Sequence, residues 1–200
     1  MKKIKIFAAA FCLSAFGLSA DGLSDSYAFE AKKDYAKALE SMEGMARDNA
    51  GDYFVQLRTA WLALIRGEFA KSSGYYQKAT LIAPNAIEPR LGQIRALMGL
   101  GQYKQSEIAI KALLKLDSKN YYARSSLAYG YYASGSYAEA EKVYEGIVND
   151  YPADTEMQIG LGWSLLKSGK KPRAKEIFTK LIKIVPYEER VTSGLHYSGK

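Results

Sequence analysis

Four glycines stand at one fixed interval: Gly67, Gly101, Gly135 and Gly169, each 34 residues after the last. A period of this length constrains the fold more than any composition does, because a copy this short has no partner for its apolar face except another copy. Other places keep the same phase. Two residues after three of the glycines comes an aromatic, Phe69, Tyr103 or Tyr137, with Lys171 in the fourth copy. A small residue follows (Ser72, Ser106, Ala140, Ala174), and then a bulky one (Tyr76, Ile110, Tyr144, Phe178). Pro84, Pro152 and Pro186 close the copies, with Ser118 in the place between.

The stretch 121–152 shows one copy most plainly. Leu127, Ala128 and Tyr131 share a helical face, Gly135-Ser136 breaks the helix, and Tyr137, Ala140, Tyr144 and Ile147 form a second face that ends at Pro152. The spacing predicts two short antiparallel helices touching at Ala128 and Ala140, where small side chains let the axes approach.

The period, the helix–turn–helix pattern, the small and bulky places and the closing proline together resemble the tetratricopeptide repeat family. One departure is that Gln56, Arg90, Arg124 and Gln158 stand where the family's first-turn tryptophan would be. The resemblance implies an all-α fold, a right-handed superhelical solenoid, with regular repeats at 53–86, 87–120, 121–154 and 155–188. The phase continues on both sides. In 21–52, Tyr35, Ala38, Met42 and Met45 match a second helix, and Lys33-Asp34 replaces the glycine break. The first helix of this degenerate repeat is expected to be short or frayed, since end repeats are atypical. In 189–200, Gly194-Leu195-His196-Tyr197-Ser198 aligns with Gly160-Leu161-Gly162-Trp163-Ser164, a fragment of a sixth first helix. Both a cap on the last pair and a disordered end fit that glycine content. The span 21–200 reads as one domain.

Residues 1–20 read differently. Lys2, Lys3 and Lys5 precede an apolar run, Ile6 to Leu18, too short to span a bilayer comfortably, and Leu18-Ser19-Ala20 offers small residues for cleavage. The expectation is a secretory signal peptide cleaved after Ala20, leaving no transmembrane segment and a periplasmic or secreted protein. The context of Cys12 does not match a lipoprotein signal. Cleavage would remove Cys12, the only cysteine, and with it any disulfide or thiolate chemistry. It would also take three lysines from 28 basic residues against 21 acidic, so the net charge of +7 falls to about +4. Nucleic acid is therefore not an expected partner, and Lys175, Lys180 and Lys183 read as a solvated face.

No catalytic constellation emerges. The single histidine, His196, lies in the tail. There is no phosphate-binding loop, no G-x-S-x-G elbow and no H-E-x-x-H pair, and the carboxylates are scattered singly. The chain reads as a non-enzyme that needs no cofactor and no metal.

Binding is what remains. The second, fifth, ninth and twelfth places of each first helix share one helical face. They hold Phe54, Leu57, Trp61 and Leu64; Glu88, Leu91, Arg95 and Met98; Tyr122, Ser125, Tyr129 and Tyr132; Glu156, Ile159, Trp163 and Leu166. In the family this chain resembles, that face lines a concave groove. The face packed inside each pair is separate and includes Ala60, Ala63, Ala128, Tyr131, Gly162 and Leu165. The stripe is apolar and aromatic, with both tryptophans in the ninth place, which favours an interaction surface over plain inter-helix packing. The expected ligand-groove residues are Phe54, Leu57, Trp61, Leu64, Leu91, Arg95, Met98, Tyr122, Tyr129, Tyr132, Ile159, Trp163 and Leu166. The polar grips of a carboxylate clamp are missing from it.

Three functions follow. The first is a cell-envelope adaptor holding an apolar or aromatic peptide or helix of another protein. The second is a polysaccharide-binding accessory, implied by the family's presence in exopolysaccharide export and helped by Glu88, Arg95 and Glu156. The third is a self-associating spacer. Aliphatic residues in the stripe favour the first. Intact-mass measurement of the protein from its native cells is expected to give a chain beginning at Asp21; a chain retaining Met1 in the cytosol would refute export.

Overall fold

The computed structural model describes residues 20–199. The charged and apolar stretches of the signal-peptide reading, with Cys12, lie outside the described residues. Every regular element among the described residues is a helix: α1 (Ala20–Ala31), α2 (Tyr35–Asp48), α3 (Tyr53–Ile65), α4 (Phe69–Ile82), α5 (Glu88–Gly99), α6 (Tyr103–Leu114), α7 (Tyr121–Ala133), α8 (Tyr137–Asp150), α9 (Thr155–Lys167), α10 (Lys171–Leu181) and α11 (Glu189–Ser198). Each helix packs on the next, giving a solenoid of helix–turn–helix repeats with α11 against both α9 and α10.

The turns explain the glycine period. Gly67, Gly101, Gly135 and Gly169 all have φ between 68° and 82°, in the left-handed region where a side chain is penalised. The degenerate repeat needs the same turn, and Lys33 adopts it with φ 59°. Its neighbour Asp34 then caps α2 through the backbone N–H of Lys37, 3.2 Å away. At the other end of each pair the caps recur with the repeat. Asp52, Asn120 and Asp154 accept from the backbone N–H of Val55, Ala123 and Met157, and Glu188 from that of Arg190. Ala86 stands in the corresponding place of the remaining repeat, and α5 starts later, with Pro89 in its first turn.

Inside each pair the small places are sealed. Ala38, Ser72, Ala140 and Ala174 are 0% exposed, as are Ala60, Ala63 and Ala128 on the first helices. Between pairs, the bulky residue of one second helix presses on the next first helix, at a place held by Gly92, Ser126, Gly160 and Gly194. A Cβ added at Gly160 would lie 2.5 Å from the Tyr144 ring, and Gly92 and Gly194 stand in the same relation to Tyr76 and Phe178. Burying such a ring stabilises by about 1.5–3 kcal/mol, which outweighs the ~1 kcal/mol that a mid-helix glycine loses to alanine.

The first joint departs from this scheme. Arg58 occupies the glycine place, and α1 and α3 make no backbone approach. The guanidinium fills the gap. It donates to Ser26 Oγ at 3.0 Å and Glu30 Oε2 at 2.7 Å, and lies 3.5 Å from the Tyr27 ring centroid. With Leu23 and Phe29 packed on the buried Ala38–Met42–Met45 cluster, α1 has twelve ordered residues, as many as α5. The expectation of a short or frayed first helix is therefore corrected; the Arg58 contacts and this packing hold α1 in place.

The departure from the family's tryptophan also has a structural account. Gln56 donates to the carbonyls of Ala46 and Asn49, Arg90 to that of Pro84, and Gln158 to that of Pro152, each tying a first helix to the end of the pair before it. Arg124 instead pairs with Asp150.

If the left-handed turn selects glycine, Lys33→Gly relieves strain and raises the melting temperature, by up to about 1 kcal/mol of stability. Gly135→Ala has the opposite effect and at least the same size. Calorimetric or circular-dichroism melts of both variants check the pair.

Candidate functional site: the inner groove

The backbones of neighbouring first helices α3, α5, α7, α9 and α11 each approach the next, whereas among the described residues second helices stand farther apart and meet through long ion-pairing side chains, such as Lys71 with Glu43 and Arg173 with Glu141. The first helices therefore form the concave wall, and their outward stripe faces a groove. Within the stripe Phe54, Arg95 and Tyr129 are exposed, and Leu57, Trp61, Leu64, Leu91, Met98, Tyr122, Tyr132, Trp163 and Leu166 are half-buried.

Ile159 is the exception and a correction. It is 3% exposed and belongs to the buried cluster with Tyr144, Ile147 and Leu165, because this turn of α9 lies against α8. Only its edge reaches the groove.

Two hollows lie along the groove. The first, about 370 Å³, is lined by Phe54, Leu57, Trp61, Leu91 and Arg95 of the stripe, together with Tyr27, Tyr76 and Glu88. The second, about 650 Å³, is lined by Met98, Tyr122, Tyr129, Tyr132, Ile159 and Trp163, together with Tyr144, Glu156, Lys167 and Arg190. Both volumes fall in the range of ligand pockets. Leu166 lines a third hollow beside Trp163 and Tyr197, and Leu64 lines none of these three.

Arg95 and Tyr122 divide the two. The guanidinium lies 4.7 Å from the Tyr122 ring centroid, and no carboxylate is within ion-pair distance of it among the described residues. The groove's acids are already engaged. Glu88 accepts from Tyr53 Oη at 2.7 Å, and Glu156 takes both arms of Arg190 at 2.8 and 2.9 Å. That hydrogen bond and burial push the Tyr53 hydroxyl well above the usual tyrosine range, burial first.

Trp163 is shared between groove and fold. Its indole N–H donates to the Arg190 carbonyl at 3.0 Å, and its ring meets Phe178 and Tyr197 edge-on or tilted. It thus ties α11 to α9 while walling the second hollow. Trp61 has one side on the cluster of Leu62 and Ala63 and the other on the first hollow.

Tyr76 and Tyr144, assigned by the sequence to the bulky core place, also reach the groove. Burial holds the Tyr76 hydroxyl up at about 12 and raises that of Tyr144 further, so both remain protonated. The available signal was their hydroxyl. Ile110 and Phe178 fill the same place without one, and each tyrosine faces a glycine in the next repeat, Gly92 or Gly160.

A helical-repeat solenoid with a concave, aromatic groove is thus the class that fold and site define. The tetratricopeptide repeat family model matches residues 91–155 and 126–189. This chain is a tetratricopeptide repeat protein. No curated protein sequence matches it. Among solved structures it is similar to MamA (residues 41 to the end) from Desulfovibrio magneticus RS-1, with TM-score 0.74, 16% identity, and 84% of this chain and 95% of that one covered. It is similar to TTC0263, a thermophilic TPR protein of Thermus thermophilus, with TM-score 0.58, 14% identity, and 89% and 97% covered. It is similar also to YrrB, described as a TPR protein with an unusual peptide-binding site, with TM-score 0.73, 13% identity, and 87% and 90% covered. At these identities the likeness is one of fold.

The clamp on α11 has a pH signature. The Arg190 side chain, then its backbone N–H, hold the Glu188 carboxyl down at about 2 from an ordinary 4.5. A depressed carboxylate stabilises the folded state fully above its unfolded value and loses that contribution as pH falls through the folded one. Between pH 4.5 and 2 the α11 amides are expected to lose exchange protection before those of α7. Arg190→Ala, which keeps the backbone N–H, shrinks this pH dependence without removing it.

Proposed function

We propose that this protein is a non-catalytic interaction scaffold of the cell envelope that holds an apolar or aromatic peptide segment of another protein in its inner groove. The observation that carries this reading is the run of exposed and half-buried aromatic and aliphatic side chains, Phe54 to Trp163, along the concave wall. A contiguous apolar surface of this kind marks an interaction site. The peptide-binding site named for YrrB, which shares the fold, supports the choice of a peptide. The placement in the envelope rests on the signal-like residues 1–20.

A sugar chain is the weaker ligand. The carboxylates that would bond its hydroxyls, Glu88 and Glu156, already hold Tyr53 and Arg190.

The test is a pull-down with tagged protein from its own envelope extract, repeated with Trp61→Ala and Arg95→Glu. Trp61 is preferred to Trp163 because, among the described residues, it carries no hydrogen bond to another helix. Removing a hot-spot aromatic costs at least ~2 kcal/mol, about thirtyfold in affinity, so the partner is expected to be lost from both folded variants, with the melting temperature kept in Arg95→Glu and lowered in Trp61→Ala by the contact its ring makes with the core. A partner retained by both folded variants would refute the groove. Light scattering that shows only assembly of the chain with itself would identify a spacer instead.

A further inference from the structure

The two hollows share a floor that the rest of the groove lacks. Tyr76 lines the first and Tyr144 the second, two repeats apart in the same structural place. Each residue is more than nine-tenths buried, at 4% and 5% exposed. Each ring lies across a glycine of the following first helix, Gly92 or Gly160, so the hydroxyl end passes the helix instead of stopping behind it. Neither hydroxyl has a hydrogen-bond partner among the described residues, and neither is among the side-chain atoms sealed from solvent without one. An open but unpartnered hydroxyl on a buried ring meets the groove. Ile110 and Phe178 supply no such group at the alternate joints.

Each hollow therefore combines one tryptophan wall, Trp61 or Trp163, with one tyrosine donor. Between them stands Arg95, a cation stacked on Tyr122 with no carboxylate of its own. Resting on the groove reading above, we propose that the occupant is an extended peptide segment held at two equivalent stations. An apolar side chain enters each hollow, a main-chain carbonyl accepts from the Tyr76 or Tyr144 hydroxyl, and an acidic residue lies over Arg95 in the middle. Neighbouring first helices pack at about 8–10 Å, so stations two repeats apart are roughly 20 Å apart, which an extended chain spans in about six residues at ~3.3 Å each. A helix would need about thirteen residues for the same span, at ~1.5 Å each, and would hide its carbonyls from the tyrosines.

The test is selection of binders from a random twelve-residue peptide display library on the purified chain, followed by affinity measurement on Tyr76→Phe, Tyr144→Phe and Arg95→Ala. The selected peptides are expected to carry two apolar anchors about six residues apart with Asp or Glu between them. Each Phe substitution removes only an unpartnered hydroxyl, so the melting temperature holds while affinity falls about two- to tenfold. Arg95→Ala weakens the acidic peptides and not their Asn or Gln counterparts. Binders that are lost in Trp61→Ala but are indifferent to both Phe substitutions, or that need one anchor only, overturn the two-station arrangement and leave the groove reading standing. Binders indifferent to Trp61→Ala as well, or no binder at all, overturn both. A drop in melting temperature in either Phe variant also overturns the proposal, because it would give the hydroxyl a structural task.

Discussion

The fold depends on how closely one repeat can approach the next. A two-helix unit of this size leaves an apolar face uncovered, and only the following unit covers it. The approach is set by a pair of places: a bulky residue on a second helix, and a minimal one on the next first helix. Tyr76 with Gly92, Tyr144 with Gly160 and Phe178 with Gly194 are the closest of these joints. The rings fill space that any side chain on the facing helix would need. Removing either member loses more than a local contact, because buried clusters such as the one from Ala128 to Val191 run across several helices.

Much of this was legible in the sequence. The glycine period gave the turns because a left-handed φ is a strict filter, and Gly67, Gly101, Gly135 and Gly169 all pass it. The small and bulky places were legible because burial tolerates few alternatives there. What escaped was anything set by one particular side chain. Lys33 adopts the glycine conformation without being glycine, and Arg58 rebuilds the first joint from polar groups. Neither follows from a repeat pattern, since a pattern describes what copies share. The capping row of Asp52, Asn120, Asp154 and Glu188 did have a periodic signal, obscured by Ala86 in its second member.

The groove was legible as a stripe but not as two hollows. Periodicity placed Trp61, Arg95, Tyr129 and Trp163 on one wall. It treated Arg95 as one more residue of the row, whereas its stacking on Tyr122 divides the space. It also separated core from groove by helical face, and Tyr76 and Tyr144 cross that division. A ring long enough to pass a glycine belongs to both. Trp163 is a second crossing, since its ring walls the groove while its N–H holds α11.

The Arg58 joint gives the two ends of the stack different chemistry. The glycine joints are closed by dispersion and apolar burial, which added salt scarcely disturbs. The joint between α1 and α3 is closed by an ion pair with Glu30, a bond to Ser26 and a stacked Tyr27, with the Glu30 side chain still 28% exposed. Dissolved ions compete with such a contact. The first hollow, whose wall includes Tyr27 and Arg58, therefore borders a joint that electrolyte weakens at its exposed Glu30 edge, just as the second borders the more exposed Arg190–Glu156 pair, so dissolved salt acts on the two ends of the stack and leaves its glycine-lined middle unchanged.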